Sequence, residues 1–325
     1  MRIVVNGQQA FGKSVLEALV ERGDDVIAVY CEPDGDAERP DPIKTAALQF
    51  GLPVYQPASF KKPDVWAEFE ALKPDLCVMA YVTKIVPEEF LNIPKHGTIQ
   101  YHPSLLPKHR GPSSINWPII QGASKTGLSI FWPDNGLDTG PLLIQKEVDI
   151  TPVDTLGSIY FDKLFPLGIE AILEGVDLVI EGKAPKIIQN EAEATYESWC
   201  TDDDVAINWS QPTLTVHNLI RGADPQPGAW TMHNGKRLRI YTCVRLESVA
   251  GNPGEVISAD EEGFVVATGD GGILVKRVRG VGGKMAANDY AADNGLAAGT
   301  RLVERFTPDC AVFISHRDQT ERQRN

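Results

Sequence analysis

At 325 residues the chain is long enough to bury a sizeable core and to hold two domains. Its composition, 42% hydrophobic and 23% charged, is that of a globular protein, and no apolar run approaches the roughly 20 residues of a membrane helix, which argues against a membrane span. A net charge of −13 repels polyanions and argues against nucleic acid as a partner.

The chain opens on an apolar strand over residues 2–6, without the long apolar core or cleavage site of a signal peptide, so the expected compartment is the cytoplasm. A helix over 12–22 and a strand over 26–30 follow. The turn Gly7-Gln8-Gln9-Ala10-Phe11-Gly12-Lys13-Ser14 satisfies the phosphate-loop pattern, but bulky Phe11 sits where backbone would wrap a phosphate. No later apolar strand ends in an Asp suited to magnesium, so a tight packing turn is the expectation there. Residues 32–42 form an acidic loop; a helix over 43–50, a strand at Val54-Tyr55 and a helix over 66–72 come next. Leu76–Ala80 is apolar throughout and reads as a central parallel strand, followed by a loop through Lys84, Ile85 and Val86.

Residues 96–111 then run from a strand into a loop. Alternation along the strand puts Thr98, Gln100 and His102 on one face and Ile99 and Tyr101 on the other. Pro103 and Pro107 stop the ladder just past His102, leaving that histidine at the carboxyl edge, where open α/β sheets bind ligands. On these residues alone His102 is either a strand-end histidine bonded to a carbonyl or an acid-base group. A helix over 114–120 and strands over 127–132 and 142–148 continue the pattern, joined by the turn-rich Pro133–Gly140. In that turn Asp134 and Asn135 read as residues that satisfy their own backbone; Asp138, between Leu137 and the Gly140-Pro141 exit, is either one more of these or an inward-facing carboxylate.

One or two helices over 155–181, broken near Pro166, lead to a linker reaching about residue 204. Beyond it, segments at 238–244, 254–258, 264–268 and 273–278, with hairpin turns at Asn234-Gly235 and Asp270-Gly271, predict a small antiparallel β-barrel over 205–310, closed by a helix over 284–293. Residues 311–325 read as a polar tail. The basic runs Lys236-Arg237-Leu238-Arg239 and Lys276-Arg277-Val278-Arg279 read as solvated edge positions. Five scattered cysteines without a C-x-x-C pair predict neither a disulfide framework nor a metal site. The fold class is therefore α/β: a Rossmann-like, mostly parallel sheet over 1–204, then the small barrel.

The stretches Tyr101–Gly111, Ser114-Ile115-Asn116-Trp117 and Phe131–Gly140 together resemble the formyltransferase and hydrolase family that uses 10-formyltetrahydrofolate. Phe165–Ile169 and Pro227-Gly228-Ala229-Trp230 resemble its hydrolase branch, the N-terminal domain of 10-formyltetrahydrofolate dehydrogenase; the methionyl-tRNA formyltransferases are also similar. One position departs: transferases of the family carry Asn two residues before the histidine and the dehydrogenase domain carries Ile, whereas this chain has Gln100.

The resemblance implies 10-formyltetrahydrofolate as formyl donor, no metal, and water or a small amine as acceptor, with His102, Asp138 and Gln100 catalytic. It further implies that the pterin lies against Lys84, Ile85 and Val86 and against Asn135 and Gly136, with Ser104, Leu105, Leu106 and Pro107 flooring the cleft. His109 is expected to be structural and Arg110 to tie its loop to a carboxylate or carbonyls. The acidic loop stands where tRNA-modifying relatives carry a basic one, which argues against tRNA as acceptor.

Overall fold

A computed structural model describes residues 1–35 and 39–303; Asp36, Ala37 and Glu38 of the acidic loop, Cys310 and the expected tail over 311–325 lie outside the described residues. The chain divides into two compact units between Cys200 and Thr201.

In the first unit β1 (Arg2–Gly7), β2 (Asp25–Tyr30), β3 (Val54–Tyr55), β4 (Leu76–Ala80), β5 (Thr98–His102), β6 (Lys125–Phe131) and β7 (Leu142–Asp149) form one sheet in the order β3-β2-β1-β4-β5-β6-β7. The pairs from β3 to β5 are parallel, and those of β5 with β6 and β6 with β7 are antiparallel. Parallel pairing needs crossovers, which the helices α1 (Gln9–Arg22), α2 (Pro42–Gln49), α3 (Pro63–Ala71) and α4 (Glu88–Leu91) supply. β4 is buried at all five positions, as a central parallel strand should be, whereas β7 alternates in and out beyond Leu143.

Helix α1 starts three residues earlier than its apolar pattern indicates, and it ends on Gly23 in the left-handed region. The phosphate-loop pattern at its start is a packing turn. A Cβ on Gly7 would sit 2.6 Å from the Ala80 carbonyl oxygen, and one on Gly12 would sit 3.1 Å from the Gly7 carbonyl carbon. Phe11 is buried against Tyr101, with ring centroids 4.4 Å apart, and Lys13 pairs with Glu17 on the helix surface.

After α5 (Asn116–Ile120) and the last two strands, the expected break near Pro166 takes a particular form. A short α6 (Leu156–Ser158) runs into a π-helical turn over Ile159–Leu164 and then directly into α7 (Phe165–Ile180), so the hydrogen-bond pattern changes just before Pro166, which lacks an N–H, and the helical stretch continues through it. α7 lies close on the sheet: a Cβ on Gly168 would come within 2.7 Å of the Tyr101 ring.

Asp154 holds the start of this helical stretch, accepting from Thr151 N (2.7 Å), Ser158 Oγ (3.0 Å) and Lys163 Nζ (2.7 Å). Burial works to raise its pKa, but these hydrogen bonds outweigh it and take the carboxyl from 3.8 down to about 2. A depressed carboxylate contributes stability above its unfolded pKa and loses it as pH falls through the folded one. Asp154→Asn should therefore lower stability by about 2 kcal/mol near neutral pH and flatten the loss seen between pH 4 and 2, measured by urea unfolding at several pH values. A variant equal to the parent at neutral pH would show that the carboxylate adds nothing.

The second unit holds α8 (Thr213–Gly222), β8 (Trp230–His233), β9 (Lys236–Ile240), β10 (Cys243–Leu246), β11 (Val256–Asp260), β12 (Gly263–Ala267), β13 (Gly272–Val275), β14 (Arg277–Gly280), β15 (Gly283–Ala286) and α9 (Ala287–Asn294). It is antiparallel as expected, but the ladder is split into two four-stranded sheets, β10-β13-β12-β11 and β15-β14-β9-β8. The strand expected over 273–278 is interrupted at Lys276, which passes the chain from one sheet to the other, and the first part of the expected 284–293 helix is β15. The basic runs are not at edges: β9 and β14 are interior strands, with Arg239 opposite Arg279. Like charges meeting in register are tolerated because Asp202 pairs with Arg237 and, at 2.8 Å, with Arg239.

Candidate active site

β5 ends at His102, and the loops after β4 and β6 converge on that edge to enclose a cavity of about 590 Å³. Its lining includes Lys84, Ile85 and Val86 from the first loop, Gln100 and His102 from β5, and Asn135, Gly136 and Asp138 from the second. Ser104, Leu105, Leu106 and Pro107 are absent from the lining, so the cleft floor expected there is not where these residues lie. They turn into the body of the unit instead: Ser104 Oγ donates to the Lys108 carbonyl (2.7 Å), Leu106 N to Ser129 Oγ (3.1 Å), and Gln145 Nε2 to the Leu106 carbonyl (2.7 Å). This polar stitching holds the loop rigidly under the histidine.

His102 is 6% exposed. Its Nε2 lies 3.0 Å from the His109 carbonyl oxygen, which can only accept, so Nε2 carries a hydrogen and donates. In the neutral ring Nδ1 then holds the lone pair, and it faces Asp138 Oδ2 at 3.6 Å, beyond hydrogen-bond range. The carbonyl-bonded reading of His102 is therefore what the structure shows, and in the neutral ring that contact leaves Nδ1 with the lone pair.

Asp138 is 9% exposed with φ 57, and its Oδ2 accepts from Gly111 N at 2.9 Å. The turn expected of its neighbours belongs to Asp134, whose Oδ1 accepts from Gly136 N and Thr139 Oγ1. Freed from turn duty, Asp138 points inward. Gln100 lies opposite Phe131 in the sheet and lines the cavity beside His102. Lys84 contributes through its backbone and stem, since its ammonium is held by Glu32 Oε2 (2.7 Å) and the Pro57 carbonyl (3.2 Å).

Arg110 is fully buried and, as expected, ties its loop to a carboxylate: its guanidinium donates to Glu191, Gln189 Oε1 and Tyr196. His109 bonds Glu197 Oε1 through Nδ1 at 3.1 Å. These partners lie in the stretch that sequence reading takes for a linker. Residues 189–200 instead run along the loop after β5: Arg110 N donates to the Thr195 carbonyl, Glu197 N to the Arg110 carbonyl, and Trp199 lines the cavity. The available signal is the demand of Arg110 for a carboxylate, which Glu191 meets. Tyr81 and Thr83 of the loop after β4, Leu137 of the loop after β6, and Ser114 also line the cavity.

Residues 1–168 match the sequence profile described as formyl transferase, and residues 200–295 match the one described as formyl transferase, C-terminal domain. The chain belongs to the formyl transferase family. It is 40% identical over 300 residues to the cytosolic 10-formyltetrahydrofolate dehydrogenase of Homo sapiens, covering 88% of this chain and 33% of that protein. The chain thus spans about a third of the dehydrogenase it matches. It is 38% identical over 308 residues to the methionyl-tRNA formyltransferase of Geotalea uraniireducens (strain Rf4), covering 93% of this chain and 98% of that protein. Among solved structures, HypX from Aquifex aeolicus in complex with tetrahydrofolic acid has the same fold, with a TM-score of 0.67 at 21% identity over 92% of this chain and 48% of its own. Among the described residues of this formyl transferase family member, no helix is long and apolar enough to cross a membrane.

Proposed function

We propose that this protein removes the formyl group from 10-formyltetrahydrofolate and passes it to water or to a small amine. The observation that carries the reading is the His102–Asp138 pair, 3.6 Å apart at the wall of a cavity lined by apolar residues such as Val82, Ile85, Val86 and Leu137 together with polar ones such as Gln100 and Asn135. Such walls suit a flat heterocycle, with backbone polar groups around residues 82–86 and 135–137 available to its edges.

The formyl carbon is amide-like, so attack on it builds a tetrahedral oxyanion, and the nitrogen must leave protonated. His102 Nδ1, the lone-pair nitrogen of the neutral ring once Nε2 donates to the His109 carbonyl, takes the proton of the attacking water or amine. Asp138 Oδ2 stabilises the imidazolium so formed, and His102 then returns the proton to the departing nitrogen. Gln100 donates its amide hydrogens to the oxyanion, an interaction whose loss typically costs about 100- to 1000-fold in rate.

Gln100→Asn shortens that donor by one methylene. It is expected to raise the ratio of amine formylation to formate release, read from product analysis with both acceptors present. An unchanged ratio would show that this position does not select the acceptor.

Full-length coverage of a methionyl-tRNA formyltransferase favours a second reading, formylation of charged initiator tRNA. Against it stand the net charge of −13 and the internal pairing of three cations of the second unit, Arg237 and Arg239 by Asp202 and Lys276 by Glu262. The two readings separate in a side-by-side assay with 10-formyltetrahydrofolate, charged initiator tRNA and a panel of small amines at physiological salt. Formate or a formylated small amine is the expected product; efficient tRNA formylation would sink the first reading in favour of the second.

A further inference from the structure

We propose that Glu197 is a positioning residue for His102, acting through the backbone of His109. The inference rests on the acid-base reading of His102 and adds what holds that ring in its working tautomer. His109 has φ 57, a conformation that residues with a Cβ adopt only when their surroundings hold them there. This conformation presents the His109 carbonyl to His102 Nε2.

What holds it is a compact set of contacts from residues 195–197. The His109 N–H donates to Thr195 Oγ1 at 2.8 Å, and His109 Nδ1 donates to Glu197 Oε1 at 3.1 Å. Thr195 Oγ1 and Gln121 Nε2 each donate to the same carboxylate oxygen at 3.3 Å. The titratable groups facing His109 are Glu197, Lys108 and His102, and burial, the largest influence, keeps its imidazole below the usual histidine pKa. The Glu197 contact requires a hydrogen on His109 Nδ1.

Glu197 also carries a cost that loop packing alone does not call for. Its Oε2 is buried with no hydrogen-bond partner among the described residues, while Oε1 takes every donor. A buried carboxylate oxygen left unmatched is unfavourable. A carboxylate, His109, its carbonyl and His102 thus form one line, and Asp138 stands at the far nitrogen.

The test combines kinetics with the tautomer of His102, read by ¹⁵N NMR of histidine-labelled protein without substrate. Glu197→Ala should lower kcat about 10- to 100-fold with KM for the formyl donor little changed, and convert the single Nε2–H tautomer to a mixture. Glu197→Gln, which keeps an acceptor for His109, should restore both. Glycine reaches left-handed φ unaided, so in a His109→Gly background Glu197→Ala should cause no further fall. If Glu197→Ala does not fold, Thr195→Val, which removes the acceptor of the His109 N–H, should give the same tautomer mixture. A loss of kcat with the tautomer unchanged, a kcat within about twofold of the parent, or an equal loss in the His109→Gly background would each overturn the proposal. The NMR measurement needs no formyl donor, so its failure is separate from failure of the proposed reaction.

Discussion

Replacing His102 or Asp138 by alanine is expected to lower turnover of 10-formyltetrahydrofolate by roughly three orders of magnitude or more, with the fold intact. The size follows from what each removal takes away. Without His102 the cavity loses the imidazole whose Nε2 contact leaves Nδ1 as the lone-pair nitrogen of the neutral ring, 3.6 Å from Asp138 Oδ2. Without Asp138 the imidazolium forms in a buried place with no counter-charge within 4 Å among the described residues. The losses should be far from additive in the double variant, because the two groups handle one proton. Asp138→Ala also strips the buried Gly111 N–H of its acceptor, at about 1–3 kcal/mol, so Asp138→Asn is the cleaner probe: it keeps an acceptor and removes the charge. Turnover near that of the parent in either alanine variant would remove that residue from the mechanism.

The second large effect is structural. Gly111→Ala is expected to destabilise the protein by about 3–5 kcal/mol and to lower kcat at least a hundredfold in whatever folds. Gly111 has φ 109, which only glycine adopts readily, and an added Cβ would lie 2.2 Å from the Glu197 carbonyl oxygen. The neighbouring atom is backbone, so relief requires pushing residues 195–197 off the loop after β5 or moving Gly111 itself. The first course disturbs the contacts to His109, and the second breaks the bond to Asp138. Thermal unfolding and steady-state kinetics check this together; a melting temperature within about 2 °C of the parent would show that the loop yields without cost.

Much of this site is legible in the sequence because it follows from period and punctuation. Alternation in Thr98–His102 puts Gln100 and His102 on one face, and Pro103 ends the strand at the edge where the cavity lies. The all-apolar Leu76–Ala80 is the buried strand it reads as. What is not legible depends on partners distant in the chain. Asp134 and Asp138 sit in the same kind of turn, and only the position of Gly111, 27 residues away, separates a turn residue from an inward carboxylate.

The segment 189–200 has no apolar period, and its contacts lie about 80 residues back, so local reading reduces it to a linker. Ser104–Pro107 carries the family likeness without touching the cavity, since its hydrogen bonds go to Ser129 and Gln145 across the sheet. The arginines of β9 read as edge residues because a charge run looks alike on any solvated face. Only Asp202, 35 and 37 residues before them, makes an interior position tolerable.

The most direct measurement is the conversion of 10-formyltetrahydrofolate to tetrahydrofolate by the purified protein, followed with water alone and then with each small amine. The account predicts that tetrahydrofolate accumulates with formate or a formylated amine in equal amount, and that His102→Ala abolishes it. Accumulation at the same rate in His102→Ala, or no tetrahydrofolate with any acceptor, would contradict it.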